Sequence, residues 1–214
     1  MGLKKNLEKA STLKASKNKS GVCTELSVKE IQALLAEHWG VRNNIIVPNV
    51  SWGMLDYEAD LLIMNKTGYV TEIEIKRSWS DFLADFKKDE VAHKSEIIYQ
   101  FWYCVPDEIY SKCKEKLKEV YPDSIDRPSI ISYSDSGVLN FHGKSASYCR
   151  GKHRKLYLEE QLKLARLGTL RYWNSEFKRL RTADEKDNEL LASQRHPGKF
   201  PKVPGRRRLH NNSL

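Results

Sequence analysis

Tyr69-Val-Thr-Glu-Ile-Glu-Ile-Lys76 switches between apolar and polar residues along its second half. In an extended strand successive side chains point to opposite faces, so Glu72, Glu74 and Lys76 share one face while Ile73 and Ile75 share the other. Just before it lies Glu58-Ala-Asp-Leu-Leu-Ile-Met64, separated by the turn-forming Asn65-Lys-Thr-Gly68. Two such runs around such a turn predict a β-hairpin. The earlier strand opens with Glu58 and Asp60 on one side and then becomes wholly apolar, which puts Asp60 at a polar-to-core boundary. Pairing across the turn can bring Asp60 near Glu74 or its neighbours, two carboxylates beside one ammonium.

The flanking segments extend this hairpin into an α/β pattern. Ser27-Val-Lys-Glu30 is a capping box, and Leu26 and Ile31 stand at hydrophobic-staple positions. Ile31, Leu34, Leu35 and His38 follow at i, i+3, i+4 and i+7, predicting an amphipathic helix over 28–38 that closes near Gly40. Residues 44–48 read as a strand. Ser80 can cap a helix over 81–92 with Phe82, Leu83 and Phe86 on one face, and the run 97–105 reads as a strand buried on both sides. Ile109, Cys113, Leu117 and Val120 mark a further helix. Residues 129–134 and 138–142, around Asp135-Ser-Gly137, form a closing hairpin. The expected fold is α/β, a central mixed sheet flanked by helices. A basic helix is expected over 156–180, then a mobile tail in roughly the last thirty residues. The expected division is a flexible basic arm at 1–23, a core at 24–145, a basic helical extension at 146–194 and a disordered basic tail at 195–214.

At 214 residues, 40% hydrophobic and 30% charged, the chain accommodates one domain with appendages. No run approaches the 18 or so apolar residues of a membrane helix, and the first twenty residues carry six lysines without an apolar segment. The expectation is a cytoplasmic protein with no membrane partner. Cys23, Cys104, Cys113 and Cys149 have no CxxC spacing, which argues against a disulfide framework or a structural zinc site. The net charge of +9 is unevenly distributed: residues 1–20 carry +5, residues 144–214 carry +11, and residues 21–143 carry −7. Basic flanks favour a polyanion, and an acidic centre repels one unless its carboxylates hold cations. A solvated acidic surface with solubilising tails is the plainer alternative.

Converging carboxylates are hard oxygen ligands of the kind Mg²⁺ prefers, completed by waters and a substrate phosphate. A lysine alongside can orient a water or offset charge developing on an attacked phosphate. Against this, Glu72, Glu74 and Lys76 also fit an ordinary strand with one solvated face.

Asp60-Leu-Leu, Glu74-Ile-Lys76, Ser78, Asp81-Phe82, Asp85 and Tyr103-Cys-Val-Pro106 occur in this order at compact spacing. That series resembles the PD-(D/E)XK nuclease superfamily and, over residues 45–142, the MmcB-type DNA-repair proteins and related phage proteins. The resemblance implies a restriction-endonuclease-like core and Mg²⁺- or Mn²⁺-dependent hydrolysis of DNA. It also implies Asp60 and Glu74 as metal ligands and Lys76 as the catalytic lysine. Ala59 replaces the proline that names the superfamily, and Glu72 stands where an apolar residue is usual. Glu74 is preferred over Glu72 as second ligand because only Glu74 has a lysine two positions on. The superfamily often adds a glutamate from the first helix, for which Glu30 is the candidate, although the capping box already accounts for it. Asp81 and Asp85 form a polar stripe with Lys88, opposite Phe82 and Phe86, that can position the helix against bound metal or Lys76. Asp81 also fits as a first-turn acid favouring the helix dipole.

Arg171, Tyr172, Trp173, Phe177, Lys178, Arg179 and Arg181 interleave cations with aromatic faces, as in proteins that bind single strands. Large aromatics are more often buried anchors, so the expectation is that they dock this helix on the core, with Arg171, Trp173, Lys178 and Arg179 as nucleic-acid contacts the alternative. Arg206, Arg207 and Arg208 can bind phosphate without a fold, or serve as an interaction tail. The leading expectation is a Mg²⁺-dependent DNA nuclease. A catalytically inactive nucleic-acid-binding accessory protein on the same fold is the second reading, and an RNA-binding module in residues 150–214 the third. A homodimer stays open.

Overall fold

The computed structural model describes residues 24–51, 53–86, 95–123, 127–143 and 153–194, with side chains to residue 183 in the last stretch. The arm at 1–23 and the tail at 195–214, with Arg206, Arg207 and Arg208, lie outside the described residues, as do Lys88, Cys23 and Cys149.

The first helix, α1 (Val28–Trp39), starts where the capping box predicts. Glu30 N donates to Ser27 Oγ, and the Glu30 carboxylate accepts Ser27 N at 2.8 Å. It is followed by β1 (Ile45–Val50), β2 (Ala59–Met64), β3 (Val70–Ile75), α2 (Trp79–Asp85), β4 (Ile98–Pro106) and α3 (Asp107–Val120), then β5 (Ser129–Tyr133), β6 (Leu139–His142) and α4 (Leu158–Gln194). The six strands form one mixed sheet in chain order, with β3–β4 and β4–β5 parallel and the other pairs antiparallel. This is the expected α/β architecture.

The β2–β3 hairpin closes over Asn65–Gly68. Asn65 Oδ1 accepts Thr67 N and Tyr69 N, and Gly68 takes a φ of 87° that a side chain would resist. Its register pairs Leu61 with Ile73 and Met64 with Val70.

Each face of the sheet has its own core. On one, Ile31, Leu34 and Leu35 of α1 pack against Leu61, Ile63, Ile73, Ile75, Trp102, Cys104 and Ile131. On the other, Phe82 of α2 and Ile109, Cys113 and Leu117 of α3 cover Leu62, Val70, Phe101, Tyr103 and Val105. Leu156 and Leu164 join this second core, and Gly168 lets α4 approach β1 so closely that a Cβ there would meet Val47 at 3.2 Å.

Two boundaries differ from expectation. Helix α2 is capped by Ser78, whose Oγ accepts Asp81 N at 3.1 Å, and Ser80 already lies inside the helix. Ser78 is extended as the chain leaves β3, the backbone an N-cap needs. Helix α4 runs to Gln194, well beyond the predicted end at residue 180 and into the stretch expected to be mobile. The chain divides into two compact units, Met1–Arg171 and Tyr172–Leu214, a boundary within α4. No helix among the described residues is long and apolar enough to cross a membrane.

Candidate functional site

The alternation of β3 puts Glu72, Glu74 and Lys76 on the face that α2 covers. They are not solvated: Glu72 is 0%, Glu74 6% and Lys76 4% exposed. Charges enter a protein interior only with partners, and each has one here. Lys76 Nζ lies 2.8 Å from Glu74 Oε1 and 2.8 Å from Asp85 Oδ1. The other Asp85 oxygen accepts the Tyr103 hydroxyl at 2.9 Å, from the neighbouring strand β4. Tyr57 OH donates to Glu72 Oε2 at 2.7 Å. Burial alone would lower the Lys76 pKa, but the Glu74 and Asp85 carboxylates outweigh it and hold the ammonium above the usual lysine range. Lys76 is therefore a fixed cation and not a proton acceptor near neutrality.

Asp60 sits where the hairpin ladder stops. The pairing of β2 with β3 ends at Leu61–Ile73, and one residue earlier the Asp60 Oδ2 accepts the Ile75 N–H at 2.8 Å. On the opposite edge of β2, Asn49 adopts a left-handed φ of 52°, and Gln32 of α1 donates both to Asn49 Oδ1 at 3.0 Å and to the Asp60 carbonyl at 2.8 Å. These contacts hold the Asp60 carboxylate beside Glu74. Burial first, and then the Glu74 charge, push the Asp60 pKa up to about 6, against the opposing pull of Ile75 N–H and Lys76.

The donor chemistry of Asp60 and Glu74 suits Mg²⁺ or Mn²⁺: hard oxygens whose mutual repulsion a cation would relieve. Among the described residues, no group of three or more His, Cys, Asp and Glu is arranged to hold a metal ion.

The remaining predicted residues fall into distinct places. Glu72 is engaged with Tyr57 inside the core. Glu30 closes the helix cap, and its pKa is lowered by the Ser27 hydroxyl and backbone N–H. Asp81 is exposed in the first turn of α2, where it accepts Arg77 N at 3.3 Å, and its charge reaches Asp60. Ser78 is the α2 cap. Arg171 donates to the Asn49 carbonyl at 2.6 Å, so it ties α4 to the end of β1. Arg179 pairs with Glu176 within its own helix at 2.8 Å. The aromatics of this helix, expected to be buried anchors, are 60% (Tyr172), 51% (Trp173) and 50% (Phe177) exposed.

Gln32 and Tyr57 also support the site, through Asn49 and Asp60 and through Glu72. The signal for Gln32 was an amide inside the otherwise apolar stripe of Ile31, Leu34 and Leu35. Tyr57 carried no such signal, because its partner Glu72 is buried only in the folded state.

No family model matches the chain. No curated protein matches it. Among solved structures, a protein of unknown function from Silicibacter pomeroyi is similar at 16% identity, over 75% of this chain and 95% of its own, with a TM-score of 0.47.

Proposed function

We propose that this chain is a divalent-metal-dependent phosphodiesterase acting on DNA, the reading that its resemblance to PD-(D/E)XK nucleases implies. The observation that supports it best is the Asp60 carboxylate anchored on Ile75 N–H next to Glu74, with the Lys76 ammonium fixed against Glu74. Asp60 and Glu74 would hold Mg²⁺ or Mn²⁺, which when bound supplies Lewis acidity to a water and to the scissile phosphate. Lys76 would offer its positive charge to the phosphate oxygens as negative charge develops on them. Glu74 and Asp85 fix the position of that ammonium, and Tyr103 holds Asp85. Gln32 and Ile75 fix the backbone and carboxylate of Asp60, so little reorganisation is needed at the moment of reaction.

The test is incubation of the full chain with plasmid, single-stranded and branched DNA in Mg²⁺, Mn²⁺ or EDTA. Cleavage is expected only with metal, and Asp60→Ala or Glu74→Ala should each slow it by about 100-fold or more. Metal-independent cutting, or cutting that both variants retain, overturns the reading. One observation favours a catalytically inactive DNA-binding protein instead: Lys76 is nearly closed off from solvent and satisfied by two carboxylates. That protein would bind DNA equally in EDTA and cut nothing under any of these conditions.

A further inference from the structure

We propose that residues 172–182 form a docking strip for single-stranded nucleic acid, through aromatic stacking flanked by cations. At 100° per residue, Trp173, Phe177 and Leu180 fall within an arc of about 60° on the helix surface. All three are half exposed, an unusual placement for large apolar side chains. The Trp173 and Phe177 rings lie 5.9 Å apart at an interplanar angle of 30°, and Tyr172 meets Trp173 edge-on at 5.3 Å. Exposed rings of this kind, tilted and edge-on to one another, offer faces on which unpaired bases stack regardless of sequence.

Charge selects the occupant. The exposed Lys178 and Arg181 border one side of the arc, while on the other side Arg179 is offset by Glu176. Residues 172–182 thus carry three cations against one carboxylate. A second copy of this helix laid parallel would bring two like-charged strips together around the apolar seam, whereas a polyanion neutralises them. An antiparallel copy, which would set Asp184, Glu185, Asp187 and Glu189 against the strip, is the competing occupant that sedimentation tests. A duplex offers phosphates but keeps its bases stacked, so only a single strand uses both the rings and the cations. This surface goes beyond the chemistry proposed for Asp60, Glu74 and Lys76 and does not depend on it.

The experiment titrates the full chain, in EDTA so that no cleavage intervenes, into a fluorescein-labelled dT oligonucleotide and into a duplex of equal length, following anisotropy over a salt series. The single strand should bind more tightly. Trp173→Ala and Phe177→Ala should each weaken single-strand binding about ten-fold and leave duplex binding nearly unchanged. Lys178→Gln with Arg181→Gln should reduce the log–log salt slope for the single strand by about 1.4. The proposal is overturned if the single strand binds no better than the duplex or if the aromatic variants bind it normally. It is equally overturned if those variants abolish a dimer seen by sedimentation, which would make a second copy the occupant. A chain that cuts no DNA but shows the expected binding leaves this inference standing while the nuclease reading falls.

Discussion

Two regions reverse the usual partition of side chains. Beneath α2, the carboxylates of Glu72, Glu74 and Asp85 and the ammonium of Lys76 are almost fully buried. On residues 172–182 of α4, Tyr172, Trp173, Phe177 and Leu180 are half exposed or more. The buried charges are tolerated because they satisfy one another: Lys76 is shared by Glu74 and Asp85, Asp85 is shared by Lys76 and Tyr103, and Tyr57 serves Glu72. In these two regions hydropathy is therefore a poor guide to location, and at the Lys76 cluster partnership is a better one. Buried charges carry a cost in stability and exposed apolar strips one in solubility, which makes both regions stronger functional candidates than their surroundings.

The largest expected effect comes from removing the shared partner. Lys76→Met leaves two buried carboxylates without their cation and should destabilise the fold by about 3–5 kcal/mol, read as a shift in the urea midpoint at neutral pH. Adding Glu74→Gln and Asp85→Asn to Lys76→Met removes the uncompensated charge and should recover most of that loss. If Lys76→Met is as stable as the parent, the cluster is not the interlocked unit its geometry indicates. Phe82→Ala, which empties a fully buried site on the same face, provides the apolar benchmark at about 3–5 kcal/mol.

Next in size is the response of Asp60 to pH. Its folded-state pKa, pushed up to about 6, lies above the ordinary aspartate value of 3.8. Between these two values the folded chain holds a proton that the unfolded chain has released, so this group's contribution to stability falls as pH rises from about 4 to 6 and stays low above that. Asp60→Asn should accordingly raise Tm by a few degrees at pH 7.5 and have little effect near pH 4, as followed by circular dichroism. Its amide oxygen can still accept Ile75 N–H, so the comparison isolates the charge. Saturating Mg²⁺ should stabilise the parent at pH 7.5 and not the variant. Equal gains at both pH values would mean the carboxylate is not under electrostatic strain.

Short-range signals were the legible ones. The capping box of Ser27 and Glu30, the turn at Asn65–Gly68 and the alternation of Glu72, Glu74 and Lys76 are each set by residues within a few positions of one another, and the structure forms all three. What covers a face is not local. The β3 pattern fits a strand with one solvated face, and Asp85 and Phe82 from α2 with Tyr103 from β4 bury that face instead. The left-handed turn at Asn49 and the two bonds from Gln32 depend on β1 and α1 meeting beside Asp60, which no spacing within either element encodes. The choice of Ser78 over Ser80 as the cap likewise follows from where β3 releases the chain. For α4, the sequence specifies an aromatic stripe but not whether anything lies against it.

A smaller effect separates the two acids of β3. Glu72→Gln keeps an oxygen that can accept the Tyr57 hydroxyl, so it should cost about 1 kcal/mol or less and spare any cleavage activity. Glu74→Gln weakens the Lys76 pair and should lower cleavage sharply. A dead Glu72→Gln variant beside an active Glu74→Gln variant would move the second ligand to Glu72.

The smallest expected effect is the sharpest test of the exposed strip. Trp173→Ala combined with Phe177→Ala should change the unfolding free energy, read from the urea midpoint, by no more than about 0.5 kcal/mol, as expected for side chains exposed on a helix surface. Alanine also has the higher helix propensity, which offsets part of even that loss. The same double variant is expected to lose single-strand binding, and the two results have to be read together. Loss of both binding and stability would show that the rings support the fold, returning them to the role of buried anchors. Loss of binding at unchanged stability separates recognition from folding in this strip. In the Lys76 cluster such a separation is harder, since Lys76, the residue proposed to act on phosphate, also holds α2 against the sheet through Asp85.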